Sequence, residues 1–130
     1  MPKGSVKLVD GSAIAVDVAA TPNLRERGLS GRKGLETGKG MLFIFPQKDR
    51  YGFWMKEMRF PIDILWLEDG RLIDIIENVP VPDSTGQLIT YHPLAPINQV
   101  LELPAGDVAR RGIRLGDKLT ISVDNTIQPR

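Results

Sequence analysis

The sequence predicts an α+β fold that is mostly β: a small closed or partly closed β-barrel with two or three short helices. Three observations carry this expectation. Apolar residues recur with a period of two in short runs, which is the signature of half-buried strands. Turn signals such as Asp10-Gly11 and Asp69-Gly70 separate those runs. The helical stretches between them are short, so the strands are joined by tight turns rather than long crossovers. Closing such a sheet would remove its unpaired edges.

The elements follow in chain order. Val6 to Val9 reads as a short strand that turns at Asp10-Gly11. In SAIAVDVA, Ile14, Val16 and Val18 share one face while Asp17 takes the other. Thr21-Pro22 opens a helix, because Thr21 can cap it and Pro22 has no N–H to leave unpaired at the first helical position. Gly28 supplies a left-handed residue to end it. Ser30 is placed to cap a second helical turn running to Leu35, and the loop ETGKG follows. GMLFIFP, residues 40–46, is a continuous apolar run of the kind buried on both faces.

Phe53 to Met55 and Ile62 to Leu67 are the next strands, and RLIDIIENV after Asp69-Gly70 is another. Residues 80–97 carry Pro80, Pro82, Pro93 and Pro96 and read as one long loop, a length that is usually functional or mobile inside a compact domain. Asn98 to Leu103 is a strand, Ala105 to Arg111 a short helix ended by Gly112, and Lys118 to Val123 the last strand. The chain of 130 residues is expected to form one domain over 6–123, between an N-terminal extension at 1–5 and a C-terminal tail at 124–130.

Composition excludes several classes of function. Hydrophobic residues make up 42% and charged residues 25%, a balance typical of soluble domains. Seventeen basic and sixteen acidic residues leave a net charge of +1, which provides no overall field for nucleic acid or an anionic membrane. With no cysteine, disulfides, thiol catalysis and zinc–thiolate sites are ruled out; with His92 the only histidine, so is a multi-histidine metal site. No cofactor is expected. No apolar run approaches the ~20 residues that span a bilayer. The N-terminus MPKGSVKLVD has no apolar signal region, so the chain is expected to be cytoplasmic as written, or exported if a signal peptide was trimmed. The oligomeric state stays open.

Candidate site residues cluster in the stretch GFWMKEMRFPIDILWLEDG. Strand alternation puts Asp63 on one face with Leu65 and Leu67, and puts Ile62, Ile64 and Trp66 on the other. A carboxylate among such neighbours is costly to bury unless paired or hydrogen-bonded. Two readings stand: a pocket carboxylate, or a structural ion pair or backbone cap, with Lys56 and Arg27 as natural cationic partners. Trp54 and Lys56 alternate onto one strand face. An indole beside a cation suits a flat polar ligand; the competing expectation, that Trp54 is core with Lys56 reaching outward, follows from how well Trp is usually buried. Arg25 and Arg27 lie about 200° apart around a helix, so one can turn inward while the other stays solvated. His92 lacks a serine or cysteine elbow around it and reads as an ordinary loop histidine. TGKG lacks the spacing of a phosphate-binding loop.

Four segments, RERGLSGRKGL, GKGMLFIFP, FWMKEMRFPIDILWLEDG and YHPLAPINQVLELPAGDVARRGIRLGDKL, together resemble the prokaryotic family known as Domain of Unknown Function 192. The resemblance runs over residues 6–123. It departs at Glu57-Met58, where the family more often carries a small polar pair ending in Thr. It implies a compact barrel-like domain whose relatives are often exported or lipid-anchored, with an arginine before Gly-Leu as at Arg27. It carries over no catalytic residues. A more local likeness, GIRLGDKL, is similar to the glycine–aspartate turn of small cradle-loop barrels, in which the Asp accepts backbone N–H groups. The expected function is a non-enzymatic binding module for a small polar ligand or a partner segment, with Arg27, Trp54, Lys56 and Asp63 at its cleft. The alternative is a hydrolase acting on a sugar-like substrate through two carboxylates, with Glu102 as the second beside Asp63.

Overall fold

The structure, a computed structural model, describes residues 1–85 and 87–124. Nine strands and two short helices follow one another along these residues. β1 (Lys3–Lys7) and β2 (Ala13–Ala19) form an antiparallel hairpin, with Val6 opposite Ile14. β1 begins inside the segment expected to be an extension, so residues 3–5 belong to the sheet; the expected tail beyond Asp124 lies outside the described residues. α1 (Pro22–Arg27) follows, and the Thr21 hydroxyl accepts the Leu24 N–H as its cap. The second helical turn expected between Ser30 and Leu35 is absent. Those residues form a turn at Ser30-Gly31 followed by irregular chain, and the Ser30 hydroxyl donates to the Lys56 carbonyl instead of capping a helix.

β3 (Lys39–Asp49) runs parallel to β2, and the short β4 (Phe53–Trp54) follows it. β5 (Ile62–Glu68) and β6 (Arg71–Val79) form a second hairpin. The long loop contains β7 (Thr90–Tyr91), which pairs with β4 in a separate two-stranded sheet. β8 (Ile97–Pro104) inserts between β5 and β3. After α2 (Asp107–Arg111), β9 (Thr120–Val123) returns to β1. The main sheet therefore has the order β6-β5-β8-β3-β2-β1-β9.

This is the mostly β fold with short helices that the alternating runs predict. The closed barrel is not formed as a continuous ladder, because the edge strands β6 and β9 do not pair along their length. Their ends approach at a single bridge between Arg71 and Lys118, backed by the Leu119 N–H donating to the Gly70 carbonyl at 2.8 Å. Asp117 accepts the Arg114 N–H and Gly116 donates to the Leu72 carbonyl, so GIRLGDKL is a structural turn that stitches this edge.

The central strands β5 and β8 are buried on both faces, which explains why they read as near-continuous apolar runs. One face carries Leu42, Leu65, Leu67, Leu101 and Leu103, together with Val6, Ile14, Val16 and Val18 of the first hairpin. The other carries Met41, Phe43, Ile64, Trp66 and Val100, and is covered by α1 and the β4–β7 pair. At Gly40 the backbones crowd: an added Cβ would sit 2.8 Å from Leu103 Cδ2 and 2.9 Å from the Glu102 carbonyl.

Candidate functional site

The two carboxylates singled out in the sequence lie on opposite faces of the sheet. Ile64 pairs directly with Glu102, and Asp63 with Leu103. Directly paired residues share a face and adjacent residues alternate, so Glu102 points with Ile64 and Met41, and Asp63 points away. The paired-carboxylate arrangement required by the hydrolase reading is therefore not assembled from Asp63 and Glu102.

Asp63 is fully buried and is bound by backbone rather than by a cation. Its Oδ1 accepts the Asn78 N–H at 2.8 Å; its Oδ2 accepts the N–H groups of Val108 at 2.9 Å and Gly106 at 3.2 Å. Asn78 has φ of 55°, a left-handed conformation beside the register shift between β5 and β6. Asp63 thus ties the β6 irregularity to the start of α2. The expected cluster of Asp63 with Lys56 and Arg27 is not formed: among the described residues no ion pair joins them. The carboxylate's cost of burial is met by three N–H donors instead.

The other face holds a cleft of about 260 Å³. α1 and its following turn form one wall with Arg25, Arg27 and Leu29; Tyr51, Phe53 and Trp54 form the other; Phe43, Phe45 and Glu102 come from the sheet. Local backbone chemistry sets these walls. Gly28, which ends α1 with φ of 46°, lets the helix approach Phe43 so closely that a Cβ would lie 3.2 Å from the ring. The Gly31 N–H donates to the Glu57 carbonyl at 2.9 Å, tying the turn after α1 to the segment that follows β4. Trp66, buried beneath, donates its Nε1–H to the Tyr51 carbonyl at 3.2 Å. Tyr51 stacks on Phe45 with ring centroids 3.7 Å apart, and Phe53 meets Phe43 edge-on at 4.9 Å.

Of the two arginines, Arg25 is the one that turns inward. Its guanidinium lies 5.0 Å over the Phe45 ring and donates to the Ile44 carbonyl at 3.0 Å. Arg27 stays exposed at the mouth. Trp54 is 55% exposed rather than core, with Lys56 Nζ 5.7 Å from its ring centroid. A second hollow beyond Trp54 is lined by Arg27, Trp54 and Lys56, with Glu57 beside them. The structure thus brings together Arg27, Trp54 and Lys56, and separates Asp63 from them. At the position where the sequence departs from the family pattern, Met58 packs into the apolar cluster and lines the cleft.

Glu102 is the cleft's distinctive group. It is only 5% exposed and, among the described residues, its side chain has no hydrogen-bond partner. Burial against apolar neighbours raises its pKa from 4.5 to about 8, so the carboxyl is predominantly neutral at pH 7. The signal was present in VLELP, a single acid inside an apolar strand, but its burial and isolation arise from strands far apart in sequence. Among the described residues no group of three or more His, Asp or Glu side chains is placed to hold a metal ion. No helix there is long and apolar enough to cross a membrane.

Two solved structures share this fold. A protein of Sinorhizobium meliloti described as a candidate transcription regulator is 32% identical, with 92% of each chain covered and a TM-score of 0.78. A protein of unknown function from Novosphingobium aromaticivorans is 30% identical, with 92% of this chain and 84% of that one covered and a TM-score of 0.77. No curated protein matches the chain. Residues 6–121 match the profile of the family DUF192, described as "Uncharacterized ACR". With that match spanning nearly the whole sheet and both walls of the cleft, the chain belongs to the Domain of Unknown Function 192 family.

Proposed function

We propose that this chain is a non-enzymatic binding module that takes a small polar ligand in the cleft between α1 and β4. One observation carries the reading: Glu102 is a desolvated carboxyl that opens onto the cleft and has no hydrogen-bond partner among the described residues. Buried polar groups are ordinarily satisfied, and one left open in a cavity is a standing offer of a hydrogen bond to a ligand. The aromatic wall supports the same reading, since Phe53 and Trp54 provide flat apolar surface, with Arg27 and Lys56 beside it for polar groups. In this reading the sheet, with its edges meeting at Arg71 and Lys118, serves as a partly closed barrel-like scaffold. Asp63 is left out of the site, since its oxygens are used on three backbone N–H groups.

The test is a thermal-shift screen of sugars, nucleotides, small organic acids and amines, followed by calorimetry on hits. Trp54→Ala and Glu102→Ala should weaken a cleft ligand at least about tenfold, a loss of about 1.4 kcal/mol, and Lys56→Ala should weaken it less. A ligand whose affinity none of these changes alters would place binding elsewhere.

A further inference from the structure

The polar groups of the cleft differ in what they have left to offer. Tyr51 donates its hydroxyl to the Gln47 carbonyl, Ser30 donates to Lys56, and Arg25 is held by Ile44 and Phe45. Three ionisable groups remain: Arg27 and Glu26 at the mouth, and Glu102 at the floor. Among the described residues Arg27 and Glu26 enter no ion pair. Arg25 and Arg27 against Glu26 leave the lining positive while Glu102 is neutral, and in the hollow beyond Trp54 Lys56 and Glu57 offset one another. A cationic ligand would enter against this potential. A neutral carboxyl on the floor donates one O–H.

We infer that the cleft takes a small organic anion with a flat or apolar body, its charge held at Arg27, its body against Phe53 and Trp54, and an oxygen acceptor turned toward Glu102 as a neutral donor. The inference rests on the binding reading above and narrows it to one ligand class. A guanidinium at the mouth suits a carboxylate, which it can hold bidentately. The ring wall suits a planar body of the size that about 260 Å³ admits. The buried carboxyl selects an acceptor and rejects a second anion once it ionises. The charged and titratable groups facing Glu102 are Arg25, Glu26 and Arg27 from α1 and Tyr51 from the opposite wall.

Three probes that share a para-methoxyphenyl body separate the possibilities: para-methoxybenzoate, para-methoxybenzyl alcohol and para-methoxybenzylamine. The methoxy oxygen accepts a hydrogen bond and does not titrate. Calorimetry on the full chain near pH 6.5 should show the benzoate binding at least about tenfold tighter than the alcohol, and the amine weakest. Near pH 9.5 the benzoate affinity should fall by roughly thirtyfold, because a carboxyl with a pKa of about 8 is then only a few per cent neutral. Glu102→Gln, with its fold checked by near-ultraviolet circular dichroism, keeps an N–H donor and should lose this pH dependence. Arg27→Gln should erase the preference for the anion. Tighter binding of the amine overturns the inference, and so does a benzoate affinity that is the same at both pH values. If a sugar or other neutral ligand binds in a Trp54-dependent way while the benzoate does not, the anion assignment falls and the binding cleft stands. If neither the probes nor any screened compound binds, both fall.

Discussion

Replacing Glu102 by glutamine separates the energetic consequence of its burial from every other titration in the chain. The carboxyl has a pKa of 4.5 when exposed and about 8 in the fold, so between those values the native state holds a proton that the unfolded state has released. Stability varies with pH as the difference in bound protons, unfolded minus native, which is negative here; the Glu102 contribution therefore falls as pH rises. It is fully present below pH 4.5 and is lost as the pH passes through about 8. Integrated from about pH 5 to about pH 9, the loss comes to about 4 kcal/mol, a large share of the 5–15 kcal/mol typical of a small domain. The assay is urea denaturation of wild type and Glu102→Gln at pH 5, 7 and 9. The amide shifts the mutant by a constant amount, since it too is a buried polar group, but it cannot ionise. The wild-type curve should fall relative to the mutant across this window, most steeply between pH 5 and 8. Parallel curves would refute the reasoning, because they would mean that Glu102 is solvated or paired in the folded protein.

Three further outcomes follow from the same structure. Asp63→Asn keeps one acceptor oxygen for three backbone N–H donors and should lower stability by about 1–3 kcal/mol in a denaturant titration; an unchanged midpoint would mean that the carboxylate does not organise Asn78 and α2. Gly40→Ala forces a methyl against Leu103 and the Glu102 carbonyl and should cost about 1–3 kcal/mol, read as a lowered melting temperature; a neutral result would show that β3 and β8 can move apart. Trp54→Ala should leave stability within about 1 kcal/mol, because the ring is 55% exposed, while removing part of one wall of the cleft. A large stability loss would return Trp54 to the core.

Local chemistry in the sequence determined most of the elements of this protein. Alternation assigned Asp63, Leu65 and Leu67 to one face of a strand and Ile62, Ile64 and Trp66 to the other, and the two buried clusters follow that division. Thr21-Pro22 and Gly28 marked the ends of α1 because caps and positive φ are settled within a few residues. The turn from Ser30 to Leu35 misled, since a serine that can cap a helix can equally donate to a distant carbonyl, and the Lys56 carbonyl was within reach. Which face carries the cleft was not legible. That depends on β8 inserting between β5 and β3, strands separated by tens of residues, and on α1 and the β4–β7 pair covering only one side. Asp63 and Glu102 carry the same local signal, one acid in an apolar run. Tertiary structure alone surrounded the first with three backbone N–H groups and left the second facing an aromatic cleft with no partner among the described residues, because hydrogen-bond partners for a buried group come from whichever segments the fold folds over it.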